Sequence, residues 1–83
     1  MMSAELKHDT QAKVVAVVAH VLQKEKEVIG ASSAWEDLKA DSLDKIEIIM
    51  RLEEAFNIQI DDDTFHGCIH IQAAVDYVHG LRG

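Results

Sequence analysis

Apolar residues in the first part of the chain recur at the spacing of one helix face. The pattern i, i+3, i+4, i+7 and i+8 predicts an amphipathic helix, and it is formed by Val14, Val17, Val18, Val21 and Leu22. Asp9 and Thr10 favour the N-cap position, so we expect the helix to begin beside them. Residues 1–8 are then expected to be a mobile N-terminal leader, and residues 9–83 a single domain.

A second helix with two different sides is predicted from Asp41, a good N-cap residue, to about Phe56, with Asn57 suited to end it. One broad side is apolar enough to be buried and contains Ile46, Ile48, Ile49, Leu52, Ala55 and Phe56. A separate stripe mixes apolar and acidic residues, namely Leu43, Glu47, Met50 and Glu54. This stripe is either a solvated face with two ordinary exposed apolar residues or a docking surface for a basic groove on a partner.

The remaining segments predict a long loop and two further helical pieces. Residues 24–39 have mixed polarity and are expected to form a loop packed by Val28, Ile29, Trp35 and Leu38. Residues 61–63 start a short helical turn that ends near Gly67, and a last helix is expected from about His70 to His79, with Gly80 as its C-terminal cap. The predicted fold is therefore all-α, a small bundle of three to four helices with a long loop between helices 1 and 2.

The charge of the chain is concentrated in one segment. The 83 residues carry a net charge of −7, and ten acidic but only three basic residues lie between Glu36 and Asp63. Such a field repels nucleic acid and anionic membranes, and it steers basic protein partners. We expect no nucleic-acid binding, no membrane span and no secretion signal, and therefore a cytoplasmic protein. We also expect a monomer.

Several residues with chemical potential lack the pattern that a site requires. Cys68 is the only cysteine, so it forms no internal disulfide, and its apolar setting favours a buried structural thiol. The five histidines show no metal-ligand spacing, and the acidic run at residues 61–63 lacks the ligand order of an EF-hand. No triad, carboxylate pair or phosphate loop suggests catalysis. We therefore predict no catalytic residue and no metal site, although a small divalent-ion protein stays an alternative.

The string from Asp37 to Asp44 reads Asp-Leu-Lys-Ala-Asp-Ser-Leu-Asp, and it resembles the attachment motif of acyl carrier proteins. In that family Asp-Ser-Leu opens the second helix. Residues 52–56 and 71–77 are also similar to carrier-protein sequences, whereas the first helix and the loop match only in pattern. The Ala-Asp-Ser-Leu portion is closer to the fatty-acid and polyketide branch than to the peptide-synthetase branch.

The resemblance implies a non-catalytic carrier with 4′-phosphopantetheine attached to Ser42. A phosphopantetheinyl transferase would take this group from coenzyme A, and the thiol of the arm would carry acyl groups as thioesters to acyl-processing enzymes with basic docking patches. The positions implied for partner binding are Asp41, Leu43, Asp44, Glu47, Met50, Glu53 and Glu54. An acyl cavity, or equally a plain core, would be lined by Ile46, Ile49, Leu52, Ile58, Ile71 and Val75.

Departures from the family pattern bear on the pathway, and one of them is that Trp35 lies one residue away from the expected apolar position, which is Ala34 here. Lys39 replaces a usual glycine, which would cost on the order of 1 kcal/mol if the position has a positive φ. Lys45 and Arg51 add positive charge to a helix that is usually more acidic, and Asp61 replaces a frequent proline. These differences put the role of housekeeping carrier of fatty-acid synthesis in doubt, and they leave open a second carrier dedicated to one pathway. The rival interpretation is an unmodified helical interaction module that docks through its acidic face.

Overall fold

The computed structural model describes residues 2–30 and 32–82, so Met1 of the expected leader and Gly83 lie outside it. Four α-helices form the bundle: α1 (Met2–Leu22), α2 (Ser42–Phe56), α3 (Asp62–Gly67) and α4 (Ile71–Arg82), with a short 3-10 turn at Lys26–Val28. Helix α1 packs against α2 and α4, and α2 packs against α3. The all-α bundle with a long connection between the first two helices is confirmed, and no β-strand occurs in the described part of the chain.

The predicted start of α1 is wrong. The helix begins at Met2, so residues 2–8 are helical rather than a segment ahead of the helix. Lys7, within these additional helical residues, forms an ion pair with Asp76 on α4, with 2.9 Å between the Lys7 Nζ and an Asp76 carboxylate oxygen. Thr10 does not cap the helix but is fully buried within it, where its hydroxyl accepts a hydrogen bond from Arg82. Contacts with α4 therefore extend the helix beyond the capping residues that the sequence offered.

The predicted limits of α2 are confirmed. Asp41 is the N-cap, and Asn57 follows the last turn in the left-handed conformation, with φ of 54°. Asparagine tolerates this conformation better than most residues, and its backbone N–H donates to the carbonyl of Glu53. The helix therefore begins and ends at residues whose side chains favour those positions.

The loop between α1 and α2 packs less uniformly than expected. Ile29, Trp35 and Leu38 are buried, but Val28 is exposed, which corrects its predicted role in packing. An isolated antiparallel β-bridge joins Ala34 to His70, just before α4. The second half of the loop is therefore fixed by both apolar burial and backbone hydrogen bonds.

The last two helices begin as predicted, but α4 is longer. Asp61 caps α3, and its pKa is lowered because the hydroxyl and backbone N–H of Thr64 both donate to its carboxylate. Helix α4 continues through Gly80 to Arg82, so Gly80 is not a C-terminal cap. The extra turn brings the Arg82 guanidinium to 4.7 Å from the centre of the Phe56 ring.

The hydrophobic core lies between the apolar faces of α1, α2 and α4, and the loop and α3 close one side of it. Its fully buried members include Val14, Val18, Ile48, Leu52, Phe65, Ile71, Val75 and Val78. Over the described ranges, none of the helices combines the length and apolar character that crossing a bilayer requires. The packed core leaves the N-terminus of α2 at the surface.

Candidate functional site

Ser42 is the first residue of α2 and is exposed. The residues on either side of the serine form a reciprocal capping box. The Asp41 carboxylate accepts from the Asp44 backbone N–H at 2.8 Å, and the Asp44 carboxylate accepts from the Asp41 N–H at 3.2 Å. Because carboxylates make both bonds, the Ser42 hydroxyl is not needed to cap the helix. It lies at the helix end where free N–H groups and the macrodipole favour an anion.

A tight turn leads into this site. Lys39 has a φ of 59°, the left-handed conformation that glycine adopts at little cost. Its backbone N–H donates to the carbonyl of Glu36, and the N–H of Ala40 donates to the carbonyl of Trp35, each at 3.1 Å. The condition under which lysine costs stability at position 39 is therefore met. The turn sets the direction in which the chain enters Asp41 and Ser42.

The exposed side of α2 has the predicted mixture of apolar and acidic residues. Leu43 is 75% exposed and Met50 is 58% exposed, so neither contributes to the core. They border a shallow groove of about 520 Å³, which is lined by Leu43, Ile46, Glu47, Met50, Arg51 and Glu54. Arg51 forms an exposed ion pair with Glu47, at 3.1 Å. The groove beside the stripe therefore contains one cation next to the carboxylates.

Three of the acidic residues expected at a partner surface also stabilise the local structure. Glu53 accepts a hydrogen bond from the backbone N–H of Ile60 at 2.9 Å, so it joins the segment after α2 to the helix. Asp41 and Asp44 form the capping box. Glu47 and Glu54 are exposed and make no backbone contact of this kind among the described residues.

The residues predicted to line an acyl cavity do not share one environment. Ile49, Leu52, Ile71 and Val75 are buried in the core, and Ile58 packs against it with partial exposure. Ile46 is 42% exposed and faces the surface groove, which corrects its expected place on the buried side of α2. The sequence placed Ile46 at the edge of the apolar side, where a small helix rotation decides between core and solvent.

A small cleft near the start of α2 has no counterpart among the sequence-derived sites. It measures about 180 Å³ and is lined by Ala34, Trp35, Glu36, Lys45, His66, Cys68 and Ile69. Three segments contribute to it, namely the loop, the first turns of α2 and the connection from α3 to α4. Because those segments are far apart in sequence, no local pattern in the sequence indicated this cleft.

The sequence predicts no reactive thiol at Cys68 and no metal site among the histidine and acidic residues. Burial raises the pKa of the Cys68 thiol, which makes a reactive thiolate less accessible. Its sulfur lies 3.5 Å from the carbonyl of Thr64. In residues 2–30 and 32–82, no group of three or more histidine, cysteine or acidic side chains is arranged to hold a metal ion.

The comparison with protein families identifies the family of the chain. A family model described as "Phosphopantetheine attachment site" matches residues 12–78. The chain belongs to the phosphopantetheine attachment site family. Its cofactor is 4′-phosphopantetheine, bound covalently, and its members are carriers rather than catalysts. The exposed hydroxyl of Ser42 at a helix N-terminus fits such a phosphate-linked group.

A solved carrier protein has the same fold as this phosphopantetheine-attachment domain. It is BlmI, a type-II acyl carrier protein from Streptomyces verticillus involved in bleomycin biosynthesis. The two structures agree with a TM-score of 0.81 over 89% of this chain and 87% of that chain, at 19% sequence identity. The acyl-carrier helical bundle expected from the sequence is thereby confirmed.

Proposed function

We propose that Ser42 is the residue on which this carrier bears its 4′-phosphopantetheine. The observation that supports this most strongly is the capping box of Asp41 and Asp44, which secures the helix start and leaves the serine hydroxyl exposed. The attached phosphodiester would then gain the favourable field of the helix N-terminus without displacing a cap.

The modification would be a transfer from coenzyme A by a phosphopantetheinyl transferase. The Ser42 oxygen forms a bond to the phosphorus that carries the pantetheine arm, and the pyrophosphate bond of coenzyme A breaks. The serine proton passes to a base on the transferase, and 3′,5′-ADP leaves. When attached, the arm supplies a thiol that carries acyl groups as thioesters.

The test of the attachment residue is an intact-mass measurement after incubation with coenzyme A and a broad-specificity phosphopantetheinyl transferase. The chain is expected to gain one phosphopantetheine, and Ser42→Ala is expected to gain none. Ser32→Ala is the matched control, because Ser32 is also exposed but lies in the loop. An unmodified wild-type chain would favour the interaction-module alternative, and modification of Ser42→Ala would place the arm elsewhere.

We propose further that the outer face of α2 meets the transferase and the acyl-processing enzymes. The surface consists of Asp41, Leu43, Asp44, Glu47, Met50, Glu53 and Glu54. Exposed apolar side chains among carboxylates suit a partner patch that is basic around an apolar depression. The groove beside Leu43 and Met50 supports this assignment.

Two substitutions test the docking face with the transferase as the probe. Met50→Lys and Glu47→Lys are each expected to lower kcat/KM for modification of Ser42 about tenfold, because an apolar anchor or a charge contact worth 1–2 kcal/mol is lost. Glu27→Lys is the control, since it makes the same charge change on an exposed residue outside α2. Equal kcat/KM values for Glu47→Lys and Glu27→Lys, at unchanged helix content, would contradict the proposal.

The cargo that we propose is an acyl chain of the fatty-acid or polyketide type. The Ala-Asp-Ser-Leu string at residues 40–43 supports this class over aminoacyl groups. Mass analysis of the thioesters on the carrier isolated from its own cells tests it, and an aminoacyl cargo would contradict it.

A further inference from the structure

We propose that the docking surface of this carrier continues from α2 onto α1, and that Arg51 selects partner enzymes whose docking segment places an acidic side chain between two basic ones. This inference rests on the proposed docking face of α2 and specifies the partner that fits it. It makes Arg51 a specificity-determining residue and gives the groove between α1 and α2 a part in recognition.

A second surface groove lies between α1 and α2, beside the groove on the outer face of α2. It measures about 510 Å³ and is lined by Ala16, Val17, His20, Arg51, Glu54 and Ala55. Ala16 and Ala55 are exposed, and Val17 packs against the core with partial exposure. Because alanine side chains are short, a partner segment can come close to both helices here. Arg51 and Glu54 line both grooves, so the two grooves form one continuous surface.

Arg51 lies at the junction of the two grooves and has hydrogen-bond donors to spare. Its Nε donates to the Glu47 carboxylate at 3.1 Å, across one helical turn. Among the described residues, its Nη groups donate to no acceptor. The guanidinium is planar, so the bond at Nε also fixes the plane in which the Nη groups offer hydrogen bonds. These groups are therefore available to a carboxylate of a partner, which can accept two parallel bonds.

The charges along this part of α2 alternate in sign. Glu47, Arg51 and Glu54 follow one another at spacings of four and three residues, so they lie along one helix face. All three are exposed. The complementary partner segment therefore has the order basic, acidic, basic. A partner that offers only basic side chains would place one of them against Arg51, and this contact between like charges opposes binding.

The α1 wall of the groove adds a second group that favours an acidic partner side chain. His20 lies in the last turn of α1 and is exposed. Its imidazole has an N–H donor in either tautomer and gains a positive charge in mildly acidic solution. Among the described residues that line this groove, Glu54 is the one carboxylate beside Arg51 and His20. The α1 side of the docking surface is therefore less acidic than the outer face of α2.

The test is a charge-reversal scan that measures kcat/KM for modification of Ser42 by a broad-specificity phosphopantetheinyl transferase. Each basic residue of the transferase's docking patch is changed in turn to glutamate, and every variant is assayed with the wild-type carrier and with Arg51→Glu. With the unchanged transferase, kcat/KM should be up to about fivefold higher for Arg51→Glu, because a repulsive contact becomes attractive. With at least one transferase variant, the order should reverse and the wild-type carrier should be the better substrate.

Lys24→Glu is the matched control, because it makes the same charge change on an exposed lysine that lines neither groove. It should show no such reversal with any transferase variant. Arg51→Gln removes the charge without adding repulsion to Glu47, so it should give values between those of the wild type and Arg51→Glu. Circular dichroism checks that each carrier variant keeps its helix content.

The proposal is overturned if no transferase variant reverses the order, or if Arg51→Glu and Lys24→Glu behave alike. Equal kcat/KM values for Glu47→Lys and Glu27→Lys would instead refute the docking face of α2 itself. The failure of this inference and the failure of the proposed docking face are therefore distinguishable.

Discussion

Lys39 has a backbone conformation that conflicts with its side chain. Its Cβ crowds the backbone in the left-handed region, where non-glycine residues cost about 1–2 kcal/mol. Gln23 and Asn57 share the positive φ, but asparagine tolerates it well. Strain of this kind persists when the surrounding structure determines the turn, and here the flanking Trp35 and Leu38 are buried.

Replacing Lys39 with glycine is therefore expected to raise the stability of the fold. The relief of strain should exceed the extra freedom that glycine gives the unfolded chain, with a net gain of about 0.5 kcal/mol. Urea unfolding followed by circular dichroism measures this change. Asn57→Gly is the control and should gain less. A lower urea midpoint for Lys39→Gly would show that the lysine side chain itself stabilises the turn.

At the scale of the element, helix ends that have side-chain caps were predictable from the sequence, and ends set by tertiary contacts were not. Asp41 and Asn57 mark both ends of α2 through local chemistry. By contrast, α4 runs through Gly80 because Arg82 reaches Asp9 and Thr10 on α1. Tertiary contacts of this kind outweigh the low helix propensity of glycine.

The capping box at the start of α2 is expected to contribute measurably to the stability of the protein. Asp41→Ala removes the acceptor for the Asp44 N–H and should lower the free energy of unfolding by about 1 kcal/mol. Asp63→Ala is the control, because Asp63 is exposed within the first turn of α3 but is not its N-cap. Chemical denaturation of both variants provides the comparison. If the two lose the same stability, the carboxylate of Asp41 acts through charge alone.

At the scale of the whole molecule, charged side chains tie the first helix to the last. Arg82 lies 3.1 Å from the Asp9 carboxylate, and Lys7 lies 2.9 Å from Asp76. The hydrogen bond from Arg82, followed by that from Lys13, lowers the pKa of Asp9. The hydrogen bond from Lys7 is the main cause of the lowered pKa of Asp76. Both pairs link α1 to α4 at the surface.

These lowered pKa values predict how stability depends on pH. A carboxyl group with a folded pKa below its unfolded value stabilises the fold fully above the unfolded value, here 3.8, and loses this contribution as the pH falls through the folded value. Arg82→Gln should therefore be less stable than the wild type at neutral pH.

The difference in stability between the wild type and Arg82→Gln should also become smaller below about pH 4, because Asp9 becomes protonated. Urea midpoints measured from neutral pH into this acid range test the expectation. Lys24→Gln, an exposed lysine beyond the end of α1, is the control and should show a smaller effect. If the difference in stability between the wild type and Arg82→Gln stays constant with pH, Arg82 stabilises the fold through its stacking on Phe56 instead.

The exposed face of α2 that we propose for docking was predictable because it lies on one helix. Helical periodicity placed Leu43 and Met50 on the exposed face because both belong to a continuous α2. The cleft beside Lys45 combines three separate segments, and no local pattern reports which loop residue meets which helix. Ile46 shows the same limit, since its exposure depends on how α2 is rotated against its neighbours.

The β-bridge between Ala34 and His70 has a consequence for where the chain tolerates change. It divides the connection between α1 and α2 into two segments. The upstream segment lies near the 3-10 turn, where Val28 is exposed, and the downstream segment is held in place as it leads to Ser42. Added residues should therefore be accommodated around residues 24–28, because loop closure costs little for each extra residue there. The same insertion at residues 36–40 would change the position of Ser42 relative to the rest of the bundle.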